Sequence, residues 1–253
     1  APQEILITIG GSEAITFSLT VTCDPGDQVL IPEPFYPNYL GYARLANVEI
    51  VPLTTYRSEG FHLPPRQEIE TCLTSKTRAI LLSNPGNPTG VVYTEAELDT
   101  LVELALRHDL FLIVDEVYRE FVYEGQHKSI LAYPEAADRA ILVDSISKRL
   151  SACGARIGML ISRNKEVMAA AQKCATIRLS APTFEQLGLA AFMADPHHRE
   201  IIARMIEEYR MRRDVFCAEL AQIPGITFRK PEGAFYVMFG LPVQDSEDFI
   251  RWM

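Results

Sequence analysis

The stretch ILVDSISKRLSACGARIG, residues 141–158, closes an apolar run with Ser145, Ser147 and Lys148 and then reaches Arg156 through a loop of small residues. Two hydroxyls and a permanent planar cation can grip a phosphate, the guanidinium with two bonds at once. A lysine among such cations has its ammonium form disfavoured, which makes Lys148 a candidate nucleophilic amine for a carbonyl carbon. Elsewhere the chain offers Gly11, Ser12 and Glu13 in GGSEAI, Tyr36 in PEPFYPNY, Asn87 in SNPGNPTG, and Asp115 and Tyr118 in VDEVYREF. Backbone N–H groups at a glycine turn that opens a helix suit an anion. A carboxylate such as Asp115 suits a cationic ring nitrogen, and a tyrosine such as Tyr36 offers a flat face for stacking.

Residues so far apart act together only if the fold brings them to one place. Four short apolar runs, residues 79–82, 110–114, 140–143 and 158–162, lack polar alternation and read as strands buried on both faces. Between the first two, Thr94 and Glu97 have capping-box spacing, and Leu98, Leu101, Val102 and Ala105 fall on one helical face. EILITIGG reads as a strand running into a glycine turn with a helix start at Ser12, and DQVLIPEPFYP supplies another strand. The expected class is α/β, wound around a mostly parallel sheet. In such sheets ligands bind outside the carboxyl ends of the strands. The polar residues follow that rule: Ser83, Asn84 and Asn87 come after one strand, Asp115 and Tyr118 after the next, Ser145, Ser147 and Lys148 after a third, and Gly10 to Ser12 after a fourth.

From Arg199 to Leu220 the spacing of Ile202, Met205, Ile206, Tyr209 and Phe216 predicts one long helix. Beyond Pro224, GITFRKPEGAFYVMFGLP alternates like a hairpin of a second, half-exposed sheet, in which Gly233, Phe235 and Tyr236 would pack. The expected organisation is a cofactor-binding large domain over residues 1–195, followed by the connecting helix and part of a small α+β domain over residues 196–253.

A phosphate grip, an aldehyde-seeking amine, a carboxylate for a ring nitrogen and a stacking aromatic together describe a site for pyridoxal 5'-phosphate. The segments GGSEAI, PGDQVLIPEPFYPNY, LSNPGNPTG, VDEVYREF, SISKRLSACGARIG and PEGAFYVM, in order along nearly the whole chain, resemble the fold-type I pyridoxal-phosphate enzymes. The resemblance is to the class I/II aminotransferases, in particular the bacterial aspartate aminotransferases. It implies a three-layer α/β/α large domain with a seven-stranded, mostly parallel sheet, a smaller domain built from both chain ends, and a homodimer with active sites at its interface. It implies that Lys148 is the Schiff-base lysine and that Asp115 pairs with the pyridine nitrogen. Asn87 and Tyr118 would hydrogen-bond the phenolic oxygen, Tyr36 would stack on the ring, and Gly11, Ser12, Ser145, Ser147 and Arg156 would hold the phosphate, with Glu13 in the same cofactor-binding set. The activity implied is transamination between aspartate or a similar L-amino acid and a 2-oxo acid. The same scaffold also serves C–S β-lyases, ring-closing lyases and effector domains of transcription regulators.

Bulk properties narrow the partners. The chain has 253 residues, 48% of them hydrophobic, and a net charge of −9, so it has no general attraction to nucleic acid or anionic lipid. No apolar run is long enough to cross a bilayer, and APQEILITIGG lacks the basic start of a signal peptide, so the expected compartment is the cytoplasm. Five cysteines are scattered without CxxC pairing and read as reduced and buried, and the five histidines lack ligand spacing, so no metal site is indicated. His62, His108 and His127 read as structural. The chain opens on Ala1 and ends in DSEDFIRWM, inside the first turns of an amphipathic helix, which reads as an internal segment of a longer enzyme. In the family, the arginine for the substrate α-carboxylate lies beyond GAFYVM; Arg251 comes too early to be it. The N-terminal arm and the tyrosine that it lends across the dimer would also lie outside this chain.

Overall fold

Seven strands form the central sheet in the computed structural model, which describes residues 1–253. They are β1 (Ile5–Ile9), β2 (Gln28–Glu33), β3 (Glu49–Thr54), β4 (Thr77–Ser83), β5 (Phe111–Asp115), β6 (Ala140–Ser145) and β7 (Ile157–Ser162), in the spatial order β1-β7-β6-β5-β4-β2-β3. All neighbours pair in parallel except at β7, which is antiparallel to both β1 and β6. The expected seven-stranded, mostly parallel α/β sheet is therefore present.

Why the central strands read as unbroken apolar runs is visible in their packing. Ile80 and Leu82 of β4, Leu112 and Val114 of β5, and Leu142 of β6 point to one core, whereas Ala79, Leu81, Ile113, Ile141 and Val143 point to another on the opposite face. The first core is covered by α4 (Glu95–Arg107), whose Leu98, Leu101, Val102, Leu104 and Ala105 are buried. The second is covered by α1 (Gly10–Thr22), α2 (Asn38–Leu45) and α6 (Lys165–Arg178). Three layers result, and each fully buried Leu, Ile or Val contributes about 1.5–3 kcal/mol relative to exposure.

Local signals set the element ends. Thr94 caps α4 as its spacing predicts: its hydroxyl accepts from the Glu97 N–H at 3.3 Å, and the Glu97 carboxylate accepts from the Thr94 N–H at 2.7 Å. Gly10, at φ +71°, lets the chain turn from β1 straight into α1, so the helix starts two residues before the expected Ser12. The long helix α8 spans His198–Leu220, one residue from its expected start. Three shorter helices, α3 (Arg66–Thr71), α5 (Ile146–Arg149) and α7 (Thr183–Ala194), complete the series before it. No helix is long and apolar enough to cross a membrane.

Three expectations need correction. β3 was not anticipated, because Pro52 interrupts its run; at the sheet edge a proline costs no ladder bond. The hairpin expected beyond Pro224 shrinks to β8 (Thr227–Phe228) and β9 (Phe239–Gly240), followed by α9 (Ser246–Trp252). Residues 229–238 instead lie against the large sheet's loops, where the Ala234 N–H donates to the Phe121 carbonyl at 2.9 Å. The five cysteines are all free, but only Cys23 and Cys217 are buried, while Cys153 is exposed at the mouth of the cleft described next.

Candidate active site

The carboxyl ends of β1, β4, β5 and β6 share one edge of the sheet, and the reversed β7 begins there. Arg156, the residue before β7, therefore arrives at the same edge as the residues that follow the other strands, and the Gly10 N–H donates to its carbonyl at 3.1 Å. Arg156 sits in the left-handed region (φ +53°, ψ +40°), an unfavourable conformation for a side chain with a Cβ, and such strain is kept where the surroundings fix it. Here Nη1 donates to the Cys153 carbonyl at 2.8 Å and Nη2 reaches the Ile9 carbonyl at 3.4 Å, which aims the guanidinium along the turn at Gly10. A Cβ on Gly10 would occupy the guanidinium's position.

These elements enclose an open cleft of about 150 Å³. Its walls bring together Gly11, Ser12, Tyr36, Asn87, Asp115, Tyr118, Ser145, Ser147, Lys148 and Arg156, ten residues predicted from sequence. Glu13 does not join them: its carboxylate accepts from the Ile9 N–H at 2.9 Å and from Arg178 Nε at 3.0 Å, bracing the first turn of α1 from behind. Asn84 also turns inward, accepting from the Tyr93 N–H at 3.2 Å. Ser145 and Ser147 both face the cleft, with their hydroxyls 2.7 Å apart; Ser145 caps the turn of α5, its hydroxyl accepting from the Ser147 N–H at 3.1 Å.

Asp115 is 7% exposed and ends β5. Burial pushes its pKa up to about 6, against hydrogen bonds from the Val117 N–H at 3.2 Å and the Tyr39 hydroxyl at 3.0 Å. Burial, followed by the Tyr236 hydroxyl, holds the Tyr118 phenol well above its usual range, so it stays a protonated donor. Lys148 Nζ lies 5.9 Å from the centre of the Phe235 ring. Asp115, Lys148 and Arg156 form no ion pair with one another or with any other residue, unlike most charged side chains of this protein.

Sequence reasoning missed three tyrosines. Tyr39 donates to Asp115 and packs edge-on against Tyr36, ring centres 5.6 Å apart. Its spacing of three from Tyr36, one turn along the chain, was the available signal. Tyr42 donates to the Ser12 hydroxyl at 2.8 Å. Tyr236, expected in the core of a second sheet, lines the cleft with its hydroxyl 2.7 Å from that of Tyr118. His62 and His127 pair with buried or half-buried glutamates, as structural histidines do.

An unpaired buried carboxylate, an unpaired amine and an unpaired guanidinium within one cleft fit a ligand that carries a cationic ring nitrogen, a carbonyl carbon and a phosphate. Pyridoxal phosphate has all three. Comparison with known proteins agrees with that fit. The chain is 34% identical to an aspartate aminotransferase of Musicola paradisiaca, over 99% of this chain and 63% of that protein. It is 32% identical to an aspartate/prephenate aminotransferase of Thermus thermophilus, over 94% of this chain and 61% of that one. Among solved structures, an aspartate aminotransferase from Thermotoga maritima superposes with a TM-score of 0.90 at 32% identity, covering 99% of this chain and 65% of that one. The chain thus spans under two thirds of the length of these relatives. The family model for aminotransferase class I and II matches residues 1–252, and the chain belongs to that family.

Proposed function

We propose that this chain carries the cofactor site of a pyridoxal-phosphate-dependent aminotransferase acting between aspartate or a similar L-amino acid and a 2-oxo acid. One observation carries the reading: Asp115, Lys148 and Arg156 converge without pairing, each left with the charge or nucleophile that one part of this cofactor needs. When bound, pyridoxal phosphate supplies an aldehyde for amine exchange and a ring that withdraws electrons from the substrate's α-carbon. On this reading each residue of the cleft has a role. Arg156, Ser145, Ser147 and the Gly11 and Ser12 N–H groups bind the phosphate through charge-assisted hydrogen bonds. Asp115, desolvated and oriented by Tyr39, holds a proton on the ring nitrogen. Tyr118 and Asn87 donate to the phenolic oxygen, and Tyr36 covers the ring face. Lys148 would hold the cofactor's carbonyl carbon through its amine and, with that amine free, would serve as the general base that moves a proton at the substrate's α-carbon.

The division into a cofactor-binding unit over residues 1–195 and part of a second unit over residues 196–253 belongs to this reading, as does a cytoplasmic location. A homodimer does too. α7 has no buried residue, and Ile177, Leu179, Phe184 and Leu187, from the end of α6 through α7, are large apolar side chains left exposed, Phe184 by 87%. Arg178 ties that surface to Glu13 in the first turn of α1, so a second copy seated there would lie beside the cleft.

Borohydride reduction after adding pyridoxal phosphate, with peptide mass mapping, tests the assignment. The expected label is on Lys148; label on any of the other five lysines instead would overturn it. Release of a 2-oxo acid without ammonia from aspartate would separate transamination from β-elimination.

A further inference from the structure

Away from the cleft floor, His62 lies between two carboxylates from distant parts of the chain. Its Nδ1 donates to Glu97 at 3.0 Å and its Nε2 to Glu232 at 3.4 Å. Glu97 is the capping-box partner of Thr94 in the first turn of α4, and it also accepts from the Leu63 N–H at 2.7 Å, so the loop at residues 61–63 is fixed to that helix. Glu232 belongs to the segment that was expected to form a separate sheet. Its second oxygen accepts from the Val92 N–H at 3.0 Å, its own N–H donates to the Gly90 carbonyl at 2.9 Å, and its carbonyl accepts from the Tyr123 N–H at 2.8 Å. Gly233 and Ala234 continue the seam with bonds to Gly90 and Phe121, and Gly233 is so close to Phe121, Pro85 and Val92 that no Cβ fits there. Two residues later, Tyr236 meets Tyr118.

Without a cation between them, Glu97 and Glu232 would repel each other in a half-buried site. The other charged group nearby, Arg229, packs with the His62 ring against Gly60 and pairs with neither carboxylate. The pair therefore depends on His62. We propose that His62 is a positioning residue: as the cation shared by Glu97 and Glu232, it pins residues 231–236 to the first turn of α4 and so sets Tyr236 against Tyr118 in the cleft. The link to catalysis rests on the reading of the cleft as a pyridoxal-phosphate site; the clasp itself does not.

The hydrogen bonds that His62 donates to Glu232 and Glu97 raise its pKa to about 10, against burial, so the clasp is closed throughout the neutral range. The first test uses the cofactor-free protein with labelled histidines, whose ring resonances are followed by NMR from pH 5 to 9. His62 is expected to remain protonated past pH 8, whereas an unperturbed histidine titrates near 6.5. A His62 that titrates near 6.5 overturns the proposal, whatever the variants do. The second test is hydrogen exchange in H62Q. The amides of Glu232, Gly233 and Ala234 should exchange at least about tenfold faster, with those of β4 and β5 unchanged, and H62K should restore slow exchange. Unchanged exchange at these three amides overturns the proposal.

The third test is a double-mutant cycle that reads the coupling of His62 to the tyrosine pair separately from the stability each side chain contributes alone. Y236F should raise the unfolding constant about fivefold in the wild-type background, the worth of one hydrogen bond, and have almost no effect in H62Q. Equal effects in both backgrounds would show that His62 does not set the tyrosine pair. Pyridoxal phosphate affinity gives the separate arm: if the three tests succeed but this cofactor does not bind, the clasp stands and the functional reading falls.

Discussion

At the scale of single residues, Asp115 carries the clearest energetic signature. Its carboxyl titrates at about 6 in the folded chain, above the usual 3.8, because it is buried. Between those values the folded form holds a proton that the unfolded chain has released, so this group's stabilising contribution is complete below pH 4 and is lost as pH rises through 6. The total is about 3 kcal/mol. Asp115→Asn should therefore stabilise the cofactor-free protein at pH 7.5 by up to about 3 kcal/mol and remove this part of the pH slope, while abolishing productive cofactor binding. Thermal unfolding of both proteins from pH 4 to 7.5 checks the difference. Tyr39→Phe removes a donor from the same carboxylate and should weaken pyridoxal phosphate binding about tenfold, as loss of a hydrogen bond to a charged group does; a spectroscopic titration measures it. These two residues also mark what sequence could disclose. Asp115 was legible because a carboxylate directly after a doubly buried strand has few structural uses. Tyr39 and Tyr236 were not, since an aromatic among apolar neighbours reads as core, and Tyr236 meets Tyr118 across 118 residues of chain.

At the scale of elements, two short devices hold the edge of the sheet in shape. The Thr94–Glu97 capping box starts α4 and supplies the carboxylate of the His62 clasp, so Thr94→Ala should cost about 1 kcal/mol in urea unfolding. Gly158, opposite Ser145 on β6, lies directly beneath the Gly10–Gly11 backbone, where a Cβ would overlap main-chain atoms. Gly158→Ala should push the turn away from Arg156 and weaken inorganic phosphate and cofactor binding more than it lowers stability; calorimetric titration beside thermal melts separates the two. β4, β5 and β6 were readable because burial on both faces leaves an uninterrupted apolar run. β3 was hidden by Pro52, and the stretch at 229–238 by an alternation that serves packing against loops instead of a ladder.

At the scale of the whole molecule, α7 lies on the surface with no residue buried, its Phe184 and Leu187 exposed. Phe184→Asp and Leu187→Asp should shift the protein toward monomer in sedimentation equilibrium while leaving thermal unfolding of the monomer nearly unchanged; an unaltered mass would place the subunit contact elsewhere. Periodicity could show that α7 exists but not that its apolar residues face outward, because a helix carries no mark of which neighbour it lacks.

The single reversed strand has a consequence for how such a site can vary. β7 starts where its neighbours stop, so the address of Arg156 is fixed by the ladder downstream of it and not by the length of chain that leads to it. The stretch from Leu150 to Ala152 can accordingly change in composition while the main chain of Arg156 stays at its post, provided the Cys153 carbonyl keeps its place against the guanidinium. Diversity in that loop is free to reshape the entrance without disturbing the anchor.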